Sequence, residues 1–456
     1  MKKLVCILLF AIPLVTYAQG PRNTFSPLYY MWMNVGNAGF SAGEADYLSL
    51  VFSPSGDPYV AFQDGIMGNA SVMKFDGTNW MYVGVPGFSG SWADFLSLAF
   101  DPSGQPCVAF EDVNSLNITV MRFDGTNWEV IGNPDFALGT PVHESLAFNP
   151  INDEPYVAFM DGGHDLKATV MRFSGAWVYL GNPGFSINQA SYTCLAFSPS
   201  GQAYIAFEDW ARSDKATVMK FDGNSWVIEG DPGFSVGFAE YISLKFSPSG
   251  QPFIAYQDQA LSYKASVKTF NGSIWVNVGQ EAVSDSVATG TSLAFDSSGQ
   301  PYVAYCDIGS GINVMKFDGT SWINIGNGVC SKGGNSSSIA FNLYDQPYVA
   351  FNGDSAKATV MKYDSISVGF KESQLFLPSI YPNPTSSFLT IDLKNFHHNP
   401  TYLEIIDLKG MKMVETQSCE SKFMLDVQNY PSGIYFIKLK RSDSNYIGKF
   451  CKIENE

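Results

Sequence analysis

Six aspartates recur at one place in a repeating sequence. Asp64, Asp112, Asp161, Asp209, Asp258 and Asp307 each follow a short apolar run, and a seventh, Asp354, stands one residue displaced. A ring of carboxylates at equivalent positions is what calcium coordination or hydrogen bonding to sugar hydroxyls would use. The same residue type also caps its own loop by accepting backbone N–H bonds, and its presence whatever the loop contains favours that role. Residues that break the repeat are better ligand candidates. Trp92, His143, His164, Trp210, Arg212, Phe238 and Tyr263 each depart from their counterparts in neighbouring loops, and loops held on a rigid scaffold are where binding residues collect.

A repeating aromatic set offers a second chemistry. Phe40, Phe88, Phe136, Phe185 and Phe234, with Tyr47, Phe95, Tyr192 and Tyr241, would serve either as sugar-stacking platforms or as packing between adjacent modules. The burial tendency of Phe favours packing. Catalytic signatures are sparse. Of four histidines two, His397 and His398, fall near the C-terminus, and there is no phosphate-binding glycine loop, nucleophile elbow or metalloprotease helix. Acid–base work by carboxylates gathered from several modules is the enzymatic route left open.

The elements that must position these residues are seven copies of one unit between Trp32 and Asp364. Its second-strand core reads Pro58-Tyr-Val-Ala-Phe62, Pro106-Cys-Val-Ala-Phe110, Pro155-Tyr-Val-Ala-Phe159, and so on to Pro347-Tyr-Val-Ala-Phe351. Each unit has four short runs rich in Val, Ile, Phe, Tyr and Thr between Ser-Gly and Asp-Gly turns, which reads as four antiparallel strands. A period of about 48 residues with four strands per period predicts an all-β fold, a seven-bladed β-propeller. The last unit stops before its tryptophan strand, and the missing piece stands at the other end, where Trp32-Met-Asn-Val-Gly36 matches Trp80-Met-Tyr-Val-Gly84. The N-terminal strand is therefore expected to complete the seventh blade and close the ring, which leaves no sheet edge exposed at the seam.

Alternating strand direction sorts the turns into two faces. The Ser-Pro-Ser-Gly and Asp-Gly-x-x-Trp turns lie on one, which reads as purely structural. The opposite face carries the aspartates, the variable loops and the blade-to-blade connections, and is the candidate binding face.

Lys2-Lys3, an apolar run from Leu4 to Val15 and the small residue Ala18 describe a secretory signal peptide over residues 1–18. The run is too short for a good membrane span, and no later segment could cross a bilayer as a helix. The formal net charge of −16 disfavours nucleic acid and anionic membrane surfaces as partners. Six cysteines follow the leader without CxxC or His–Cys spacing. In an oxidising compartment Cys306–Cys330 or Cys419–Cys451 would be candidate bridges, which spacing alone does not establish.

After Asp364 a linker, 365–377, leads to a tail, 378–456, whose alternating apolar residues describe a small Ig-like β-sandwich. Tyr381-Pro-Asn-Pro384, Asp407-Leu-Lys-Gly410, Pro431-Ser-Gly-Ile-Tyr435 and the closing Lys449-Phe-Cys-Lys-Ile453 occur in that order. This set closely resembles the type A C-terminal sorting domain of the type IX (Por) secretion system of Bacteroidota. The resemblance implies passage through the outer membrane by the type IX machinery, usually with removal of the tail, and attachment to the cell surface or release. Within the repeats, the Phe-x-Pro-Ser-Gly-x-Pro-Tyr-Val-Ala run loosely resembles NHL-type blades, and Asp-Gly-Thr-x-Trp resembles part of the Asp-box of sialidase-like propellers. The three convergent arginines of a sialidase are missing: Arg122 and Arg172 hold the ordinary lysine position of the third strand.

The expected protein is a monomeric, secreted or surface-displayed binding or adhesion protein. Its propeller (19–364) contacts glycan or protein without a cofactor, calcium being the one candidate. The alternative is an extracellular glycan lyase or hydrolase using carboxylates of the channel.

Overall fold

The computed structural model describes residues 28–453 except 66–67, 135, 138, 140, 308, 327, 330–335, 354–355, 368–378, 393–400, 409–410, 419–421 and 441–444. The leader expected at 1–18, Asp354, His397, His398, Cys330 and Cys419 therefore lie outside the described residues. The chain forms two compact units, one of residues 30–366 and one containing 367–456.

The first unit is a propeller of seven four-stranded antiparallel sheets, formed by residues 45–82 (blade 1), 93–130, 142–179, 190–228, 239–277, 288–324 and 337–367. The seventh holds three strands of its own, and Leu28–Asn34 pairs beside Ala358–Ser367 as its fourth. The first strand of each blade is innermost and lies against the first strands of its neighbours, with Ser337–Phe341 of blade 7 against Ala45–Phe52 of blade 1.

Two circles of hydrogen bonds follow from the repeat. On the inside, the backbone N–H of Leu98 donates to Ser49 Oγ of the preceding blade, Leu146 to Ser97, Leu195 to Ser145, Leu293 to Ser243, Ile339 to Ser292 and Leu50 to Ser338, at 2.9–3.1 Å. Blade 4 substitutes a thiol, with Leu244 N donating to Cys194 Sγ at 3.2 Å. On the outside, each fourth-strand tryptophan donates its indole N–H to a carbonyl of the preceding blade. Trp80 bonds Val35, Trp128 Val83, Trp177 Ile131, Trp226 Leu180, Trp275 Glu229, Trp322 Val278 and Trp32 Ile325, at 2.7–2.9 Å. Every buried indole thus keeps a partner.

Phe40, Phe88, Phe136, Phe185 and Phe234 stack on Trp80, Trp128, Trp177, Trp226 and Trp275 with centroids 4.0–5.0 Å apart. They are packing residues between blades. Their sequence companions Tyr47, Phe95, Tyr192 and Tyr241 are placed elsewhere.

The second unit pairs a three-stranded sheet (Ser379–Tyr381, Phe388–Asp392, Lys422–Asp426) with a four-stranded one in which Thr401–Asp407 and Gly433–Lys440 are central. Alternate residues Leu389, Ile391, Leu403, Ile405, Ile437 and Leu439 are buried in one core, as a sandwich of half-buried strands requires.

Candidate functional site: the channel mouth

The six described aspartates are engaged by donors of their own loops and of the segments beside them. Asp161 Oδ1 accepts from Gly163 N at 3.0 Å, and its Oδ2 from His164 Nδ1 and Thr169 Oγ1, both at 2.8 Å. Asp209 accepts from Ala211 N and Thr217 Oγ1, Asp258 from Ala260, Val236 and Gly237 N, Asp112 from Asn114 and Ser115 N, and Asp307 from Gly309 N and Ser286 Oγ. Asp64 is buried and hydrogen-bonds Tyr82. Hydrogen-bond partners close by thus engage each of the six carboxylates. Among the described residues no group of three or more His, Cys, Asp or Glu is arranged to hold a metal.

The chemistry gathers deeper, round the mouth of the channel on the same face. Near the start of each inner strand a β-bulge shifts the register, between Asp46 and Ser49 in blade 1 and between the equivalent residues of blades 2 to 6. The bulged residue has a left-handed backbone: Tyr47 (φ 51°), Phe95 (52°), His143 (59°), Tyr192 (51°), Tyr241 (52°) and Gly290 (58°). For a bulky side chain this conformation is a rare and costly state, about 1–3 kcal/mol each, of the kind retained where a side chain must be re-aimed. Five of these six side chains form an arc. Tyr47 and Phe95 have centroids 4.8 Å apart, Phe95 and His143 4.7 Å, His143 and Tyr192 4.6 Å, and Tyr192 and Tyr241 5.3 Å. Gly290 ends it, leaving blades 6 and 7 open.

Carboxylates stand under and beside the rings. Asp94 pairs in register with Glu111, Glu240 with Gln257, Asp46 with Gln63, and Ser191 with Glu208. Glu144, next to His143, takes the place held by Leu48 and Leu96 in blades 1 and 2. That position reaches back to the preceding blade, as the hydrogen bonds from Thr193 Oγ1 to His143 O (2.5 Å) and from Ser337 Oγ to Gly290 O (2.7 Å) show. Glu144 is 7% exposed, and neither carboxyl oxygen has a hydrogen-bond partner; buried Nδ1 of His143 has none either.

Burial pushes the Glu144 carboxyl well above the usual carboxylate range, and the charges of Glu111 and Asp94 add to this. Burial, then the Asp94 charge, raises Glu111 to about 7. Burial, then Asp214 and Glu240, raises Glu208 to about 7. The Tyr47 phenol is raised to about 12 by burial and then by Asp94. His143 is lowered to about 4 by burial and is neutral at neutral pH.

These shifts fix a pH dependence. A carboxyl whose folded pKa is raised keeps its proton where the unfolded chain has lost it, so Glu111, Glu144 and Glu208 lose stability as pH rises from about 4.5 to beyond 7. Of these groups His143 alone acts in the opposite sense, between about 4 and 6.5, and is outweighed by the three. The melting temperature is expected to be higher near pH 5 than near pH 8. Glu144→Leu, which copies blades 1 and 2, should raise it at about pH 8 by about 3 °C or more and leave it little changed at about pH 5. Calorimetry at the two pH values checks this; equal shifts at both would show that Glu144 is not protonated in the fold.

Of the residues singled out in the sequence, four join this arrangement. His143 is the middle of the arc. Trp92, 51% exposed, donates Nε1–H to Asp94 Oδ1 at 2.8 Å. Trp210, 47% exposed, hydrogen-bonds Glu208. Phe238, 40% exposed, stands on the rim, its carbonyl accepting from Gln259 N. Tyr263 lies farther out, where its carbonyl holds Ala288 N of the next blade. His164 is tied to Asp161 with its ring edge-on to Tyr179 of the outer strand. Arg212 ends the short 3-10 turn Trp210–Arg212, against Gly233. Sequence reasoning missed Asp94, Glu111, Glu144, Glu208 and Glu240. The available signal was the pattern Ala-Asp-Tyr47, Ala-Asp-Phe95, Ala-Glu-Tyr241, a carboxylate entering a strand beside an aromatic.

The face read as purely structural is not featureless. A cavity of about 630 Å³ opens there, lined by Phe52, Phe197, Phe246, Phe295, Phe341 and the lone cation Lys245, among others.

Residues 379–453 match the secretion system C-terminal sorting domain. The tail is a type IX sorting domain. The chain is thus a type IX secreted protein of the cell surface or the extracellular space, and the sorting domain implies engagement with that secretion machinery. No helix among the described residues is long and apolar enough to cross a membrane. No curated protein sequence matches the chain. Among solved structures it is similar to PorZ, a surface component of the type IX secretion system of Porphyromonas gingivalis, at 12% identity and a TM-score of 0.47; the match covers 91% of this chain and 60% of that protein. It is also similar to an ulvan lyase of a polysaccharide lyase family, at 11% identity and a TM-score of 0.51, over 72% of this chain and 95% of the lyase. At such identity the likeness to the lyase concerns the fold.

Proposed function

We propose that the chain is a non-catalytic glycan-binding protein of the cell surface. Residues 1–18 and 378–456 serve export, 365–377 is the linker, and the propeller, 19–364, is the cargo that binds at its channel mouth. The arc of five rings, four Tyr or Phe and one His, all on a costly left-handed backbone, carries this reading. A sugar ring presents an apolar C–H face to such a surface, while its hydroxyls donate to Asp46, Asp94 and Glu240 around the edge. Trp92, Trp210 and Phe238 extend the platform along the rim.

The test uses the position itself. Gly290 shows that glycine fits there, so Phe95→Gly and Tyr192→Gly are expected to leave the melting temperature within a few degrees of the parent. Each should weaken retention on the best ligand of a glycan array by about 10-fold or more. Retention unchanged in both variants would remove the arc from the site.

One observation favours the enzymatic alternative. Glu144, whose carboxyl burial pushes well above the usual carboxylate range, lies near Asp94, and two neighbouring carboxyls are what acid–base cleavage of glycosidic bonds employs. Turnover of any polysaccharide by the purified chain, lost in Glu144→Gln, would establish it.

A further inference from the structure

The acidic groups around the arc come from five blades. Asp46, Asp94, Glu111, Glu144, Glu208 and Glu240 stand on blades 1 to 5, and the charges that act on Glu111 and Glu144 are those of other carboxyls. The charges that act on Glu208 are those of Asp214 and Glu240, and on Asp46 those of Glu44 and Asp94. His143, the one basic side chain in the arc, is half-buried, with a buried and unpartnered Nδ1. Buried carboxyls are ordinarily paired or satisfied by donors; Glu144, with both oxygens buried and unpartnered, is not. Glu111 of blade 2 lies near enough to Glu144 of blade 3 for its charge to act on it, and Asp94 acts on both.

We infer that the channel mouth selects a glycan bearing free ammonium groups, a deacetylated amino sugar. This rests on the glycan-binding reading of the same site. Hydroxyl groups would satisfy the exposed carboxylates but bring no positive charge to the buried carboxyls of Glu111 and Glu144. Sulfated or uronic sugars would be repelled. An ammonium group among the rings meets the negative faces of Tyr47, Phe95 and Tyr192 and the field of the carboxylates together. Its arrival favours the ionised form of Glu111 and Glu144, so protons leave as the ligand binds.

The experiment is titration calorimetry of the full chain near pH 6.5 with three probes of equal length: the glucosamine tetramer, its N-acetylated form and the glucose tetramer. The glucosamine tetramer should bind at least about 10-fold tighter than either, with a heat that varies with the ionisation enthalpy of the buffer as protons are released. Glu111→Gln should remove most of that preference and leave binding of the glucose tetramer within about 2-fold. The variant is a safe one, because Gln63 and Gln257 occupy the same register position in blades 1 and 5. Equal affinity for the charged and uncharged tetramers overturns the inference and leaves glycan binding standing. Tetralysine binding as tightly as the glucosamine tetramer overturns it too, since charge alone would then suffice. Failure of every sugar to bind removes the glycan reading itself.

Discussion

Removing residues 379–456 is expected to abolish appearance of the propeller at the cell surface and in the medium, by at least about 10-fold in the surface fraction, with the protein held in the periplasm. The tail folds around its own core of Leu389, Ile391, Leu403, Ile405 and Ile437, and the strands of the propeller find all their partners within residues 28–367. Truncation should therefore leave the propeller folded, and the loss should be one of address rather than of stability. Protease shaving of intact cells, followed by detection of the propeller in each fraction, makes the measurement. Efficient display of the truncated chain would sink the assignment of the tail as the export signal; loss of the protein from every fraction would show instead that the propeller needs the tail to fold.

The second large effect is expected at the seam. Trp32 is buried, donates to Ile325 O at 2.9 Å and stacks near Tyr363 at 5.3 Å. Gly326 sits so close beneath it that a Cβ there would lie 2.6 Å from the indole Cδ1. Trp32→Ala removes this packing at a cost of about 3–5 kcal/mol, and it falls on the strand that holds blade 7 shut. A fall in melting temperature of about 5–10 °C is expected, together with early proteolytic loss of residues 28–34. Trp177→Ala in blade 3 removes the same kind of contact without touching the closure. It should destabilise without exposing the N-terminal strand to protease. If both variants behave alike, the strand does not close the ring.

The ring was legible because it is written seven times. The Pro-Tyr-Val-Ala-Phe cores mark one strand per blade, the Asp-Gly turns mark another, and the tryptophan segment missing from the last unit is found at Trp32. The loop-capping aspartates were legible for the same reason, since a residue that recurs whatever its loop contains answers to the loop's backbone. The site was not. Tyr47, Phe95, Tyr192 and Tyr241 recur as regularly as Phe40 and Phe88, and periodicity put them together as packing residues. What separates them is a bulge that reverses the backbone at one residue, and composition does not announce a left-handed φ on tyrosine. His143 was noticed only as an exception, though it holds the same place as its aromatic neighbours. Glu144 was hidden more simply, as a carboxyl in a position where other blades have leucine, threonine, isoleucine or serine.

The borrowed strand also sets an order of events. Residues 28–34 are made about 330 residues before the partner they pair with at 358–367, a separation that makes this pairing slow and late. Until then six sheets can assemble from neighbours in sequence while the inner circle of serine hydroxyls stands open at Ser338, and the N-terminal segment waits with unpaired backbone. An incomplete chain, stalled anywhere before residue 358, carries an adhesive end that a protease or chaperone can seize. Quality control of this cargo is thus built into its circularity, since only a finished polypeptide can hide its own beginning.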